Sequence, residues 1–209
     1  MLQETNRLHK WTAIAAATLL CLTAFINLYN HFQYTRFSNL WYTCYVLMPI
    51  ALNVILAVFL FCRKKSTALG CVFICQIVYP ILIAPLFYIL WMATDEFIVR
   101  YQGWPWLNMV STLIGSANLL LMALDCFLAP RQSLRQIRTL FLILPALTAV
   151  FYVINSISSY MEAGLILDTL SIPALVVSFV TSCAPSILTG LSFFLSYDRK
   201  PAPAEPVQQ

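Results

Sequence analysis

The sequence predicts an all-α protein: a polytopic transmembrane bundle of six helices with both termini cytoplasmic. Three observations predict it. The chain of 209 residues is 61% hydrophobic and 10% charged, against roughly 25% charged residues in soluble domains. Its apolar residues fall into runs of about twenty, the length at which a helix crosses a hydrocarbon layer of ~30 Å. Its basic residues gather between the runs, so the formal charge of +4 reads by position as a topology signal, with no nucleic-acid partner implied.

The runs are helices because lipid cannot satisfy exposed backbone N–H and C=O groups, and they lack the alternation of a barrel strand. Span one, Trp11–Tyr29, follows Arg7 and Lys10 and closes on Asn27 and Asn30, which read as interface residues. Its end, INLYNHF, lacks the small-x-small pattern of a cleaved leader, so it is expected to be retained. Span two, Trp41–Cys62, carries Asn53 at its middle and is followed by Arg63, Lys64 and Lys65. Span three, Gly70–Met92, places Gln76, Pro80 and Ala84 on one face, and prolines at 80 and 85 argue for a bent helix.

Span four, Trp106–Leu128, carries Ser111, Gly115, Asn118, Met122 and Asp125 at steps of four and three, hence on one face. Span five, Leu140–Ile157, does the same with Thr148 and Asn155, continued by Ser159. Span six, Leu170–Ser196, has a small residue at every fourth position: Ala174, Ser178, Ser182, Ser186 and Gly190. Such a stripe lets a neighbouring helix approach closely, because packing drives association in lipid. Pro185 interrupts this span, and Thr181 or Ser182 is expected to bond the carbonyl it frees.

Ten of the twelve Lys and Arg fall on one side of this layout, with only Arg36 and Arg100 opposite, which makes the ten-residue side cytoplasmic. Trp41, Trp91, Trp104 and Trp106 cluster at the outer ends, while Trp11 and Tyr197 mark the inner side, as interfacial aromatics do. Residues 1–198 form the membrane domain, and residues 199–209, Pro-rich and polar, form a short disordered tail. Arg63, Arg131 and Arg199 recur every 68 residues, Pro105 and Pro173 share that spacing, and Pro49 and Pro185 lie at twice it. Three hairpins in parallel would produce this recurrence. The Pro-x-[Asp/Glu]-x-x-[Lys/Arg] signature of the three-hairpin mitochondrial carriers is absent after spans one, three and five.

Asp125 is the one acid inside a span. At 1.5 Å per residue it lies about 12 Å from the middle of span four, close to the cytoplasmic edge. An acid at that depth can pair with Arg131 or a basic group beyond span two or six, and it reads as a structural clamp before it reads as a substrate site. Asn53, Gln76, Asn118, Asp125 and Asn155 are the candidate polar lining, and Ser178, Ser182, Ser186 and Gly190 the candidate helix-packing residues.

Catalytic patterns are missing. His9 and His31 lie at opposite sides of the membrane, which excludes a haem held by paired intramembrane histidines and an H-E-x-x-H protease. No G-x-S-x-G and no P-loop occurs. Seven cysteines are scattered, four of them (Cys62, Cys71, Cys75, Cys126) near the cytoplasmic ends, without a C-x-x-C pair. No cofactor or metal is expected, and the chain leans away from enzymes. Two classes remain. One is a small transporter or the membrane-embedded subunit of one, in a cell membrane. The other is a non-catalytic sensor, assembly or scaffold protein acting through helix contacts. The expected partners are membrane lipids and a partner membrane protein or second copy. A polar cavity lined by Asn53, Gln76, Asn118 and Asn155 favours the first class, and Ser178, Ser182 and Ser186 facing lipid favour the second.

Overall fold

Among the described residues, six stretches of helix are long and apolar enough to cross a membrane: Arg7–Gln33, Thr43–Cys62, Thr67–Leu86, Met109–Phe127, Leu140–Ser158 and Phe179–Ser196. They come from a computed structural model that describes residues 2–34, 40–62, 66–86, 89–90, 105–128, 135–162 and 172–197. The architecture is that of a polytopic membrane protein. Arg63, Arg131 and Arg199, which carry the 68-residue recurrence and much of the expected orientation, lie outside the described residues.

The helices are α1 (Leu2–Tyr34), α2 (Leu40–Cys62), α3 (Thr67–Val78), α4 (Pro105–Phe127), α5 (Leu140–Glu162), α6 (Ile172–Ser182) and α7 (Ala184–Ser196). Ser66 starts α3 by accepting the Leu69 N–H, at 3.3 Å, into its side chain, which satisfies one of the orphan donors of a helix start. At its far end α3 widens into one π-turn, Tyr79–Ile83, around Pro80. Span six is two helices, broken at Cys183 just before Pro185. Successive helices are neighbours around a ring: α1 with α2, then α3, α4, α5 and α7, which returns to α1, while α6 touches α1 and α5.

The interior is filled unevenly. The buried apolar cluster contains Ala16, Ala17 and Leu20 of α1, Leu56, Ala57 and Leu60 of α2, and Leu69 and Phe73 of α3. It is completed by Leu121, Met122 and Ala123 of α4, Phe141 of α5 and Phe193 of α7. All lie in the half of the bundle that ends at Asp125. Outward-facing side chains are apolar too, among them Phe25, Phe61, Leu82, Met109 and Val150, as a lipid-facing surface requires.

Three prolines explain how the ring is tied together: Pro49 and Pro145 inside helices, and Pro185 in the first turn of α7. A proline lacks the N–H that would bond the carbonyl four residues earlier, so Pro49, Pro145 and Pro185 free the carbonyls of Tyr45, Phe141 and Thr181. Each freed carbonyl meets a group from another helix. The Tyr79 hydroxyl of α3 donates to Tyr45. The Thr23 hydroxyl of α1 lies 2.8 Å from the Thr181 oxygen, and at the same distance from Leu19 in its own helix. Thr181 itself turns its hydroxyl back to Val177, at 2.9 Å, and Ser182 donates to Tyr152. The Pro185 carbonyl defect is therefore met across the ring, not by the two local hydroxyls expected from the sequence.

The third carbonyl meets a glycine. A Cβ added to Gly190 would stand 2.1 Å from the Phe141 oxygen and 2.8 Å from the Pro145 ring. No side chain fits there, so α7 crosses α5 with the Gly190 Cα against the freed oxygen, a weak C–H···O contact. Of the small-residue stripe, Gly190 therefore packs against a helix within this chain. The Ser178 side chain lies outside the described residues.

Two outcomes follow for purified protein unfolded in mild detergent. Gly190→Ala forces α5 and α7 apart and lowers stability by about 1–3 kcal/mol. Thr23→Val lowers it by about 1 kcal/mol in the wild-type background. Its effect shrinks to near zero beside Pro185→Ala, which restores the missing N–H, so the double-mutant cycle shows the coupling. An equal loss in both backgrounds would disprove the cross-ring bond.

Candidate functional site

A cavity of about 450 Å³, within the size range of small-molecule sites, opens between the helices of the ring. It lies just above the packed half of the bundle, and Leu20, Leu56, Phe73 and Met122 belong to both, forming its floor. Every crossing helix contributes polar groups to its wall. Thr23 and Asn27 come from α1, Asn53 from α2, and Gln76 and Tyr79 from α3. Asn118 comes from α4, Thr148 from α5, Thr181 and Ser182 from α6, and Ser186 and Thr189 from α7. Pro49, Pro80 and Pro185 line it as well, so the helices are interrupted at the level where the interior is open. Among the described residues, no Asp, Glu, Lys, Arg or His lines the cavity.

The amides are paired across helices. Gln76 Nε2 donates to Asn53 Oδ1 at 3.2 Å, joining α3 to α2. Asn118 Nδ2 donates to Ser186 Oγ at 3.3 Å, joining α4 to α7. Asn118 is 1% exposed, and its Oδ1 has no hydrogen-bond partner among the described residues. Each helix face that the sequence marked as polar is thus turned inward where these three amides stand.

Two of the expected lining residues stand elsewhere. Asn155 is half-buried on α5 but does not reach the cavity; the face it shares with Thr148 puts only Thr148 on the wall. Asp125 lies below the floor, three residues beyond Met122, and is 1% exposed. The Tyr197 hydroxyl donates to its Oδ1. Arg131, the arginine expected to pair with Asp125, lies outside the described residues. Tyr197, expected as an interfacial anchor, turns inward instead. Its ring packs 5.9 Å from that of Phe141, which is 5.7 Å from Phe193, itself 5.7 Å from Phe73. Arg138 stacks on Phe194 at 5.1 Å, a cation–π contact. The Asp125 end of the bundle is therefore closed by an aromatic layer with the Tyr197–Asp125 bond beneath it.

Ser182 and Ser186, expected to pack helices, line the cavity and also bond neighbouring helices, through Tyr152 and Asn118. Asn27, expected at the interface, lines it as well. Thr23, Tyr79 and Tyr197 were not singled out for these roles. The signal for Thr23 and Tyr79 is indirect: a proline inside an apolar run announces a carbonyl in need of a donor, without naming the donor.

His9 and His31 are both buried on α1, about 33 Å apart along its axis, which keeps them from one common site. Cys62, Cys71 and Cys75 are exposed and, like Cys126, free thiols. Among the described residues, no group of three or more His, Cys, Asp and Glu converges.

Removing the Tyr197 hydroxyl strips a donor from a buried acid. Tyr197→Phe is expected to lower stability by about 1–3 kcal/mol. Asp125→Asn retains an acceptor and is expected to lose less. Thermal unfolding of the two variants checks the order. Comparison with protein-family models, with curated proteins and with solved structures finds no match to this chain, so the reading of the cavity rests on its own geometry.

Proposed function

We propose that this protein is a small membrane transporter, or the membrane-embedded subunit of one, and that the central cavity is its solute site. The observation that carries the reading is the cavity itself, a space with a mostly apolar wall into which all six crossing helices bring polar groups, at the level of Pro49, Pro80 and Pro185. Interrupted helices supply midplane sites in transporters because unwound backbone and inward polar groups can face a solute there. A protein that acted only through helix contacts has no use for such a space, since each missing contact weakens the bundle. Ser182 and Ser186 on the cavity wall support transport over a scaffold, which would turn them to lipid.

The two halves of the bundle suggest how access would alternate. The aromatic layer of Phe73, Phe141 and Phe193 and the Tyr197–Asp125 bond form a gate at one end. The positive-inside pattern makes that end cytoplasmic. Opening it requires the end of α7 to part from α4, and the break at Cys183 gives α7 a place to pivot. Asp125 then serves as a gate latch, in keeping with the clamp role its depth implies. Lipids and a second membrane subunit remain the partners this reading calls for.

The test is access to Ser186→Cys, placed on the wall in a background whose native cysteines are replaced. A membrane-impermeant thiol reagent, applied separately to each face of sealed vesicles, is expected to label it slowly from the Asp125 end. Adding Tyr197→Phe is expected to raise that rate about tenfold, the equivalent of 1.4 kcal/mol off the closed state. A cysteine inert from both faces in both backgrounds would place the protein in the scaffold class.

A further inference from the structure

We infer that the cavity selects an uncharged solute that donates hydrogen bonds from one side and presents an apolar body on the other. The inference rests on the reading of the cavity as a solute site, and it comes from how the wall spends its protons. Thr148 donates to Leu144, Thr181 to Val177 and Thr189 to Pro185, at 2.9, 2.9 and 2.7 Å. The Thr23 proton goes to Leu19 or Thr181, and the Tyr79 proton to Tyr45. Ser182 gives its proton to Tyr152. Six hydroxyl groups at the wall have thus committed their donor to the protein, and an oxygen that has given its proton away can still accept. Asn118 Oδ1 adds an acceptor that is buried and unpartnered. Such an atom is costly to leave unmade, and a donor on the solute completes it.

Charge is selected against by the same wall. An anion would meet hydroxyl oxygens whose protons are already committed, with neutral amides such as Asn27 and Asn53 as donors and no Lys, Arg or His among the described lining residues. A cation would find acceptors but no carboxylate: the nearest acid lies below the floor, held by Tyr197. A charge moved into such a space without a counter-ion loses hydration that no opposite charge replaces. The remainder of the wall, Leu52, Leu56, Phe73, Leu119 and Met122, suits an apolar body and gives a cation no compensation. The gate acid is therefore kept apart from the solute, and the solute is neutral.

Three probes of similar size and different charge test this on the whole chain: benzamide, benzoate and benzylammonium. Binding is measured at millimolar concentration by ligand-induced thermal stabilisation and by equilibrium dialysis of radiolabelled probe. Benzamide, with its N–H donors, is expected to bind at least about tenfold tighter than either ion. Asn118→Ala is expected to weaken it about tenfold. Should that variant fail to fold, Asn118→Asp keeps the shape and places a carboxylate on the wall. At mildly alkaline pH this variant is expected to reverse the preference in favour of benzylammonium. Equal or tighter binding of an ion to the wild type, no binding of any probe, or benzamide binding indifferent to both changes at Asn118 would overturn the assignment. Benzamide counterflow in vesicles separates the two readings. Binding that depends on Asn118 without counterflow leaves the neutral-solute site standing and removes transport.

Discussion

Backbone carbonyls that lose their helical donor inside a membrane have no water to turn to, and this constraint organises the bundle. Pro49, Pro145 and Pro185 each create one such carbonyl. Had each been repaired within its own helix, the prolines would bend the spans and nothing more. Instead Tyr79, Gly190 and Thr23 reach the defects from neighbouring helices. A local weakness in one span thereby becomes a specific contact with another. α3 is fastened to α2, α7 to α5, and α1 to α6. Because lipid offers no hydrophobic drive for helices to associate, directed contacts of this kind have more to decide than they would in a water-soluble core.

The same interruptions leave room. A proline-broken helix carries its side chains at changed angles on the two sides of the break, and here the breaks at Pro49, Pro80 and Pro185 coincide with the cavity. Below that level small residues such as Ala16, Ala17, Ala57 and Ala123 let the helices close up. Phe73, Phe141 and Phe193 then fill what remains. One end of the molecule is built from tight packing and the middle from paired polar groups. The division separates what holds the bundle together from what can face a solute.

Much of this was legible in the chain, and the limits have physical reasons. The six spans follow from apolar length alone, a property of the chain that no tertiary context alters. The inward faces of α2, α3 and α4 follow from the polarity of Asn53, Gln76 and Asn118, since an amide facing lipid would go unpaired. Thr148 and Asn155 show where that argument stops. They share a stripe, but the stripe meets the cavity only at Thr148, and helical periodicity gives a direction without a depth. Asp125 was legible as an anchor near a membrane edge. Its partner was not, because Tyr197 stands 72 residues away and an aromatic residue at a span end resembles any interfacial anchor. The small-residue stripe of span six divides by depth: Ser182 and Ser186 stand at the cavity, while Gly190, one turn beyond Ser186 on α7, meets α5 below it.

The uneven filling of the interior has a consequence for which substitutions the chain tolerates. A side chain enlarged beside the cavity of about 450 Å³ has space to grow into, whereas one enlarged beside Phe73 or Phe141, both 0% exposed, meets close-packed neighbours. Added volume is therefore absorbed at the level of Pro49, Pro80 and Pro185 and rejected in the half that ends at Asp125 and Tyr197.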